Sequence, residues 1–264
     1  MKDFFKLWFM YMKLIFKSWK EYRIDFVIGI TAMFVANMMS VVFFWVIFEN
    51  VISLNGWSFG QILFLSGMLS VVSGFWHTFL SGSSPWRLEE YVRRGILDTV
   101  LLKPIGTLRY FLMSNIDEDG FGELIAAFFI LITGANLSGI IWNFHNILLL
   151  TAFIISGILI FFSIITIFSC LAFWTTRVHS ISRIVWHFMV FVKYPLEIYN
   201  PAIIFLLTFI LPLGFINYYP SEIFLGKGLH LQFAYLAPII GVVALIISYL
   251  FWKFSLKHYT STGS

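Results

Sequence analysis

Long uncharged apolar stretches dominate the pattern of hydrophobic and polar positions along this chain. A helix needs about 20 mostly apolar residues to cross the hydrocarbon core of a membrane. Five stretches meet that requirement, and polar residues flank each of them: 26–48, 58–80, 121–139, 147–174 and 233–252. The pattern therefore predicts an all-α integral membrane protein with at least five membrane-spanning helices.

The region between residues 178 and 219 leaves the remaining crossing open. Residues 178–194 are helix-like but include Arg183, His187 and Lys193, whereas residues 202–219 carry no charge but include Pro212. Hydropathy alone favours 202–219 as the span. The alternative is a more polar span followed by a re-entrant segment, which is tolerated only where protein shields its backbone from lipid. Both alternatives give six transmembrane helices with both termini on one side.

The composition supports a membrane protein and excludes several classes. Hydrophobic residues make up 60% of the 264 residues and charged residues 11%, whereas soluble domains are roughly 45–50% apolar and about 25% charged. So few charges cannot cover the surface of a water-soluble fold. This excludes a cytosolic enzyme, a secreted domain and a disordered chain. The single cysteine, Cys170, excludes a disulfide framework.

Basic residues predict the orientation in the membrane. Of the 17 Lys and Arg residues, six precede residue 26, five lie between the second and third spans, and only Lys227 is firmly on the opposite side. Because cytoplasmic segments are enriched in Lys and Arg, we expect both termini to be cytoplasmic. The net charge of +4 then indicates basic inner loops, and we expect no nucleic-acid partner.

The flanking segments complete the predicted domain organisation. In residues 1–25 lysines alternate with aromatic and aliphatic residues at helical spacing, which is typical of an interfacial elbow helix lying among the lipid headgroups. Residues 26–258 form the predicted transmembrane domain, and residues 259–264 form a cytoplasmic tail.

A short amphipathic helix is predicted between the second and third spans, at residues 85–94. Ser83 or Ser84 caps it, Pro85 suits its first turn, and Gly95 ends it. Such a helix either lies on the inner leaflet or fits a groove of a soluble partner. In the second case its apolar stripe is the knob and its charged residues pair with the partner. The residues assigned to that contact are Leu88, Glu89, Glu90, Tyr91, Val92, Arg93 and Arg94.

Few residues are candidates for a catalytic, metal-binding or transport role. The sequence has no catalytic motif, no Walker A loop and no metal-ligand set, because the acids of residues 117–119 lack accompanying histidines and instead favour a helix N-terminus. Glu123 is a candidate buried charge, since ionisable groups inside a bilayer usually face the protein interior. Polar side chains in the first two spans either line a translocation path or serve helix packing: Asn37, Ser40, Ser66, Ser70, Ser73 and His77.

Three blocks of sequence resemble the ABC-2-type transporter permeases. They are residues 95–104 (GILDTVLLKP), 193–199 (KYPLEIY) and 207–220 (LTFILPLGFINYYP), and the resemblance extends over nearly the whole chain. It implies a permease of the bacterial cell membrane that pairs with a second permease chain and docks on an ATP-binding-cassette ATPase. ATP and Mg would be bound by that ATPase, and no cofactor is expected in this chain.

The resemblance also assigns roles to segments. Residues 85–94 become the coupling helix, residues 178–199 become the fifth span, and residues 202–226 become re-entrant elements between helices five and six. We therefore expect the non-enzymatic membrane subunit of an ATP-driven exporter that moves substrate through a dimer. The alternatives are a secondary transporter or channel without an ATPase and a membrane-embedded lipid-modifying enzyme.

Overall fold

The computed structural model describes residues 2–175, 178–227 and 231–260, so the end of the expected tail, residues 261–264, lies outside the described residues. Twelve α-helices follow one another in the described residues. They are α1 (Lys2–Glu21), α2 (Arg23–Asn50), α3 (Phe59–Leu80), α4 (Pro85–Arg93), α5 (Ile96–Leu101), α6 (Thr107–Ser114), α7 (Asp119–Leu137), α8 (Phe144–Cys170), α9 (His179–Phe191), α10 (Pro201–Phe205), α11 (Tyr218–Phe224) and α12 (Leu231–Leu256).

Five of these helices are long and apolar enough to cross a membrane: α2, α3, α7, α8 and α12. They correspond to the five stretches that the hydrophobic pattern predicts. The all-α membrane architecture is therefore confirmed. We name the two ends of the bundle by the segments that they carry, the α4 end and the 51–58 loop end.

Helix α3 forms the centre of the bundle, although its composition resembles that of α2. Fifteen of its 22 residues are buried within the chain, whereas Phe44 is the one buried residue of α2. Lipid and protein interior are equally apolar, so an uncharged helix suits either environment. Helix α2 consequently presents most of its apolar surface outward.

Small residues spaced by seven let α3 and α7 approach closely. They are Gly60, Gly67 and Gly74 on α3, and Gly120, Ala127 and Gly134 on α7. A Cβ atom at Gly67 would lie 2.6 Å from the Cα atom of Leu131, and one at Gly134 would lie 2.3 Å from the backbone nitrogen of Phe64. These contacts leave no room for a methyl group, and we call this contact the glycine seam.

The N-terminal segment forms a helix of its own, separated from α2 by a break at Tyr22. The buried Trp19 attaches it to α7, because the indole nitrogen donates a hydrogen bond of 2.9 Å to Glu118. The ring also packs against Phe26 and Phe121. Helix α1 is thus attached to the bundle beside the first turns of α2 and α7.

The segment after α8 runs the length of the bundle. At the α4 end, the backbone N–H of Val178 donates to Glu89 of α4 at 2.7 Å. At the 51–58 loop end, the indole N–H of Trp57 donates to the carboxylate of Glu197 at 2.7 Å. Helix α9 lies between these two contacts, so residues 178–197 pass from one end of the bundle to the other.

The next segment, residues 200–227, starts and finishes at the 51–58 loop end of the bundle. Its two arms, Pro201–Ile210 and Leu213–Phe224, are bent by 74°, and the ammonium of Lys227 then donates to the carbonyl of Gly56 in the 51–58 loop at 3.0 Å. Asn217 is buried and donates to the carbonyls of Leu65 and Val192. These contacts favour residues 178–199 as the crossing and a re-entrant hairpin after it, contrary to the hydropathy ranking.

Candidate functional site

Helix α4 forms where the sequence predicts it. Pro85 occupies its first turn after Ser84, where a missing N–H costs nothing. Gly95 follows the helix with a φ of +65°, a left-handed conformation that favours glycine. The chain then turns directly into α5. The local sequence therefore fixes a pair of short helices between α3 and α6.

The apolar stripe of α4 faces this chain and not a partner. Leu88 is 0% exposed and Val92 6% exposed, and both belong to a cluster that includes Phe111, Phe173 and Trp252. The expectation that Leu88 and Val92 form a docking knob does not fit this burial. The stripe instead attaches α4 to α6, to the end of α8 and to α12.

Tyr91 lies at the edge of the same cluster. Its ring packs edge-to-face on Phe111 with the centroids 5.0 Å apart. Burial raises the pKa of the Tyr91 phenol above its ordinary value of 10, because the charged form is disfavoured away from water. The phenol is therefore neutral at physiological pH, and its ring packs α4 against α6.

The four charged residues of α4 that the sequence assigned to a partner have different surroundings. Glu89 is used internally, since it accepts the N–H of Val178. Glu90 pairs with Arg94 at 3.0 Å on the surface, and such exposed pairs contribute about 0–1 kcal/mol. Arg93 is exposed. The basic end of α4 is thus the part that a soluble partner can reach.

Helix α5 adds an apolar surface that the sequence analysis did not identify. Leu97 and Val100 are buried and anchor the helix, whereas Leu101 is exposed and Leu102 is 86% exposed. The sequence carried one signal for this surface: two leucines directly follow the buried pair and cannot share its face of the helix. We group these leucines with the exposed arginines at the end of α4 as the α4–α5 edge, which consists of Arg93, Arg94, Leu101 and Leu102.

A second cluster joins α3 to α7 inside the bundle. Ser73 donates to one carboxylate oxygen of Glu123 at 2.5 Å, and Nδ1 of His77 lies 3.1 Å from the other oxygen. The side chains of His77 and Glu123 are 23% and 12% exposed. Glu123 therefore lies among protein groups, together with two of the residues assigned to the path.

This cluster continues to α4 through residues that sequence reasoning missed. Nε2 of His77 lies 3.8 Å from Oδ2 of Asp117. The guanidinium of Arg87 donates to the same oxygen at 3.1 Å and to Oδ1 of Asn115 at 2.5 Å. We call the series Arg87, Asp117, His77, Glu123 and Ser73 the polar chain. Its members come from three separate segments, 73–77, 87 and 117–123, and no motif connects those segments.

Three of the other candidate path residues donate hydrogen bonds within their own helices. Asn37 donates to the carbonyl of Met33, Ser40 to that of Asn37, and Ser66 to that of Leu63. Ser66 and Ser70 are buried. Asn37 and Ser40 are half-buried on α2. A role in lining a path between two chains remains a prediction for these side chains.

The described residues contain no group of three or more His, Cys, Asp and Glu side chains that is arranged to hold a metal ion. Within the acidic turn at the start of α7, protein groups contact two of the acids. Asp117 lies beside Arg87, and Glu118 accepts the hydrogen bond from Trp19. These two acids thus connect helices of this chain.

Comparison with known proteins gives one match. A family model described as "ABC-2 family transporter protein" matches residues 34–263. No curated protein and no solved structure matches the chain. The matched region begins within α2 and includes every later element, among them the α4–α5 edge and the whole polar chain.

Proposed function

The chain belongs to the ABC-2 transporter family, and from this premise we propose that it is the permease subunit of an ATP-driven exporter of the bacterial cytoplasmic membrane. The family and the apolar helices make it a multi-pass membrane component of an ABC transporter. The proposal adds a second permease chain, a separate ATPase subunit that binds ATP and Mg, cytoplasmic termini and an outward direction of transport.

One observation carries the proposal. Helix α4 is attached to the transmembrane bundle by buried side chains, while the adjacent α4–α5 edge exposes two arginines and two leucines. A basic rim beside an exposed apolar pair suits a groove of a soluble protein. We assign this edge, on the cytoplasmic side, to the contact with the ATPase.

Attachment of α4 to the bundle supplies the mechanical connection that coupling requires. Leu88 and Val92 pack in one cluster with Phe173, which follows α8, and with Trp252 of α12. Packed interiors transmit displacement because they contain few voids. When ATP draws the ATPase subunits together, movement of the α4–α5 edge shifts the ends of α8 and α12. ATP then changes transport only if it favours one of two arrangements of the spans.

The substrate path in this proposal lies between two permease chains. Helix α2 presents most of its apolar surface outside the single chain, with Asn37 and Ser40 half-buried on it. Lipids cover whatever part of that surface the second chain leaves free. The identity of the second chain, the same or a paralogue, is left open.

A second candidate function is favoured by one observation, the His77–Glu123 pair inside the bundle. Ionisable groups within the membrane often mark ion pathways in secondary transporters. This alternative predicts transport that follows an ion gradient and needs no ATPase. The described residues show no comparable set of groups that would favour a lipid-modifying enzyme.

Co-purification tests the proposal. We expect the tagged native chain to retain an ATPase that contains a Walker A loop. The double variant Arg93→Glu/Arg94→Glu should lose most of this ATPase, because a groove that binds two arginines repels two glutamates. Lys257→Glu is the matched control, since this exposed lysine follows α12 outside the α4–α5 edge, and it should retain the ATPase. A native chain that binds no such ATPase, or moves cargo without ATP, would overturn the proposal.

A further inference from the structure

The polar chain begins at the coupling element and ends inside the membrane. Arg87 belongs to α4, Asp117 to the linker before α7, His77 and Ser73 to α3, and Glu123 to α7. Charged groups away from water are costly unless they are paired and hydrogen-bonded. Each charged member of this series has an oppositely charged neighbour within 4 Å, provided that His77 is protonated.

The outer half of the series attaches α4 to the end of α3. Arg87 holds the linker through both Asn115 and Asp117. The backbone N–H of Asp117 in turn donates to the carbonyl of Thr78 at 3.0 Å. A displacement of α4 therefore either carries the linker with it or breaks a charge-assisted hydrogen bond, which is among the stronger polar contacts.

The inner half places a histidine between two carboxylates. Nδ1 of His77 faces Glu123 and Nε2 faces Asp117. Only the imidazolium has a proton on each ring nitrogen and can donate towards both carboxylates. Asp119 is a further acid near the ring. The ring thereby connects the linker outside the membrane to α7 within it.

Glu123 also lies across the glycine seam. A Cβ atom at Gly74, the last small residue of the seam on α3, would lie 3.2 Å from the Cγ atom of Glu123. Glycines leave few interdigitating side chains, so the seam by itself offers little resistance to sliding. Directional bonds at its α4 end fix the relative position of α3 and α7.

We propose that the polar chain is the positioning device through which displacement of α4 by the ATPase changes the position of α3 relative to α7. This inference rests on the proposed function and extends it, because it names residues that act behind the docking surface. None of them belongs to the α4–α5 edge that is assigned to the ATPase contact. Loss of the charge at Asp117 should therefore stop the ATPase from moving α3, while the ATPase stays bound to the permease.

The test uses the intact permease–ATPase complex and needs no knowledge of the cargo. Spin labels are placed on exposed positions of α3 and α7, by Phe75→Cys and Ile132→Cys in a Cys170→Ser background. The distance between the labels is measured with and without a non-hydrolysable ATP analogue. We expect the analogue to shift this distance in the otherwise native complex, and the absence of any shift there would overturn the inference.

Two substitutions at Asp117 separate an electrostatic role from a packing role. Asp117→Asn keeps the shape and removes the charge, whereas Asp117→Glu keeps the charge in a larger side chain. We expect the asparagine variant to retain the ATPase but lose the shift, and the glutamate variant to show it. A shift that survives in the asparagine variant, or is lost more completely in the glutamate variant, would contradict the inference.

Two further variants complete the design. Asp25→Asn removes an exposed carboxylate of α2 outside the polar chain and should leave the shift unchanged. Arg87→Gln acts on the other side of the same ion pair and replaces Asp117→Asn if that variant fails to fold, with the same expected loss. If the native chain binds no ATPase at all, the proposed function fails and this inference fails with it, which differs from a bound ATPase without a shift.

Discussion

Substitution of Gly134 by alanine tests the glycine seam. The added Cβ atom would lie 2.3 Å from the nitrogen of Phe64 and 2.7 Å from both the Cα atom of Phe64 and the carbonyl carbon of Leu63. Ordinary van der Waals contacts lie at 3.4–4 Å. All three atoms belong to the backbone of α3, so no side-chain rotation relieves the overlap, and α3 and α7 must move apart by about 1 Å.

The expected cost follows from this separation. Adding one carbon to a well-packed interior costs about 1–3 kcal/mol. We expect Gly134→Ala to lie near the upper end, about 2–3 kcal/mol, because α3 is the most buried helix and loses dispersion contacts along the seam. This corresponds to a decrease of about 30- to 150-fold in the ratio of folded to unfolded protein.

The measurement is a denaturant titration of the purified chain in detergent micelles. Gly106→Ala is the matched control, since a Cβ atom there would meet nothing within 4 Å and the residue has an ordinary φ of −57°. We expect the control to change the free energy of unfolding by less than about 1 kcal/mol. Equal stabilities of the two variants would refute the close approach of α3 and α7.

Substitutions at three other sites give contrasting outcomes. Leu88→Ala should destabilise the chain by about 2–5 kcal/mol, because it leaves a cavity under α4, whereas Leu102→Ala should leave thermal stability unchanged and reduce the amount of ATPase that co-purifies. Asn217→Leu removes the hydrogen bonds that the Asn217 amide donates to the carbonyls of Leu65 and Val192, at about 0.5–1.5 kcal/mol each. We expect faster proteolysis of residues 200–227 in that variant, and unchanged proteolysis would show that Asn217 does not fix the re-entrant hairpin.

Hydropathy predicts the membrane helices because long uncharged stretches leave little alternative. It does not distinguish the central α3 from the outward-facing α2, since lipid and protein interior are equally apolar. The sequence does carry a further signal, the seven-residue spacing of Gly60, Gly67 and Gly74. That spacing identifies a close helix contact once the partner helix is known.

The region between residues 178 and 219 shows where hydropathy and tertiary contacts favour different assignments. Residues 202–219 are more apolar than residues 178–194, yet the contacts favour 178–199 as the crossing. The contacts that favour it include the hydrogen bond from the backbone N–H of Val178 to Glu89, whereas Asn217 attaches the bent segment around Pro212 to α3. Such contacts are tertiary, and a window of sequence does not contain them.

Helix α4 was predictable in form but not in orientation. Pro85 and Gly95 fix the bounds of α4, and the apolar stripe shows that one face is buried. The pattern does not show whether a partner or the same chain covers that face, and here the same chain covers Leu88 and Val92. The contact of Arg87 with Asp117, 30 residues later, likewise depends on the fold.

Photo-cross-linking from the α4–α5 edge tests the central claim most directly. With a photoreactive side chain at Leu102 in the native complex, we predict a covalent adduct with an ATPase that contains a Walker A loop. The same group at Ile52, which is 98% exposed in the opposite 51–58 loop, should give none. An adduct from Ile52 and not from Leu102, or no ATPase adduct from either position, would contradict the claim that this edge docks the ATPase.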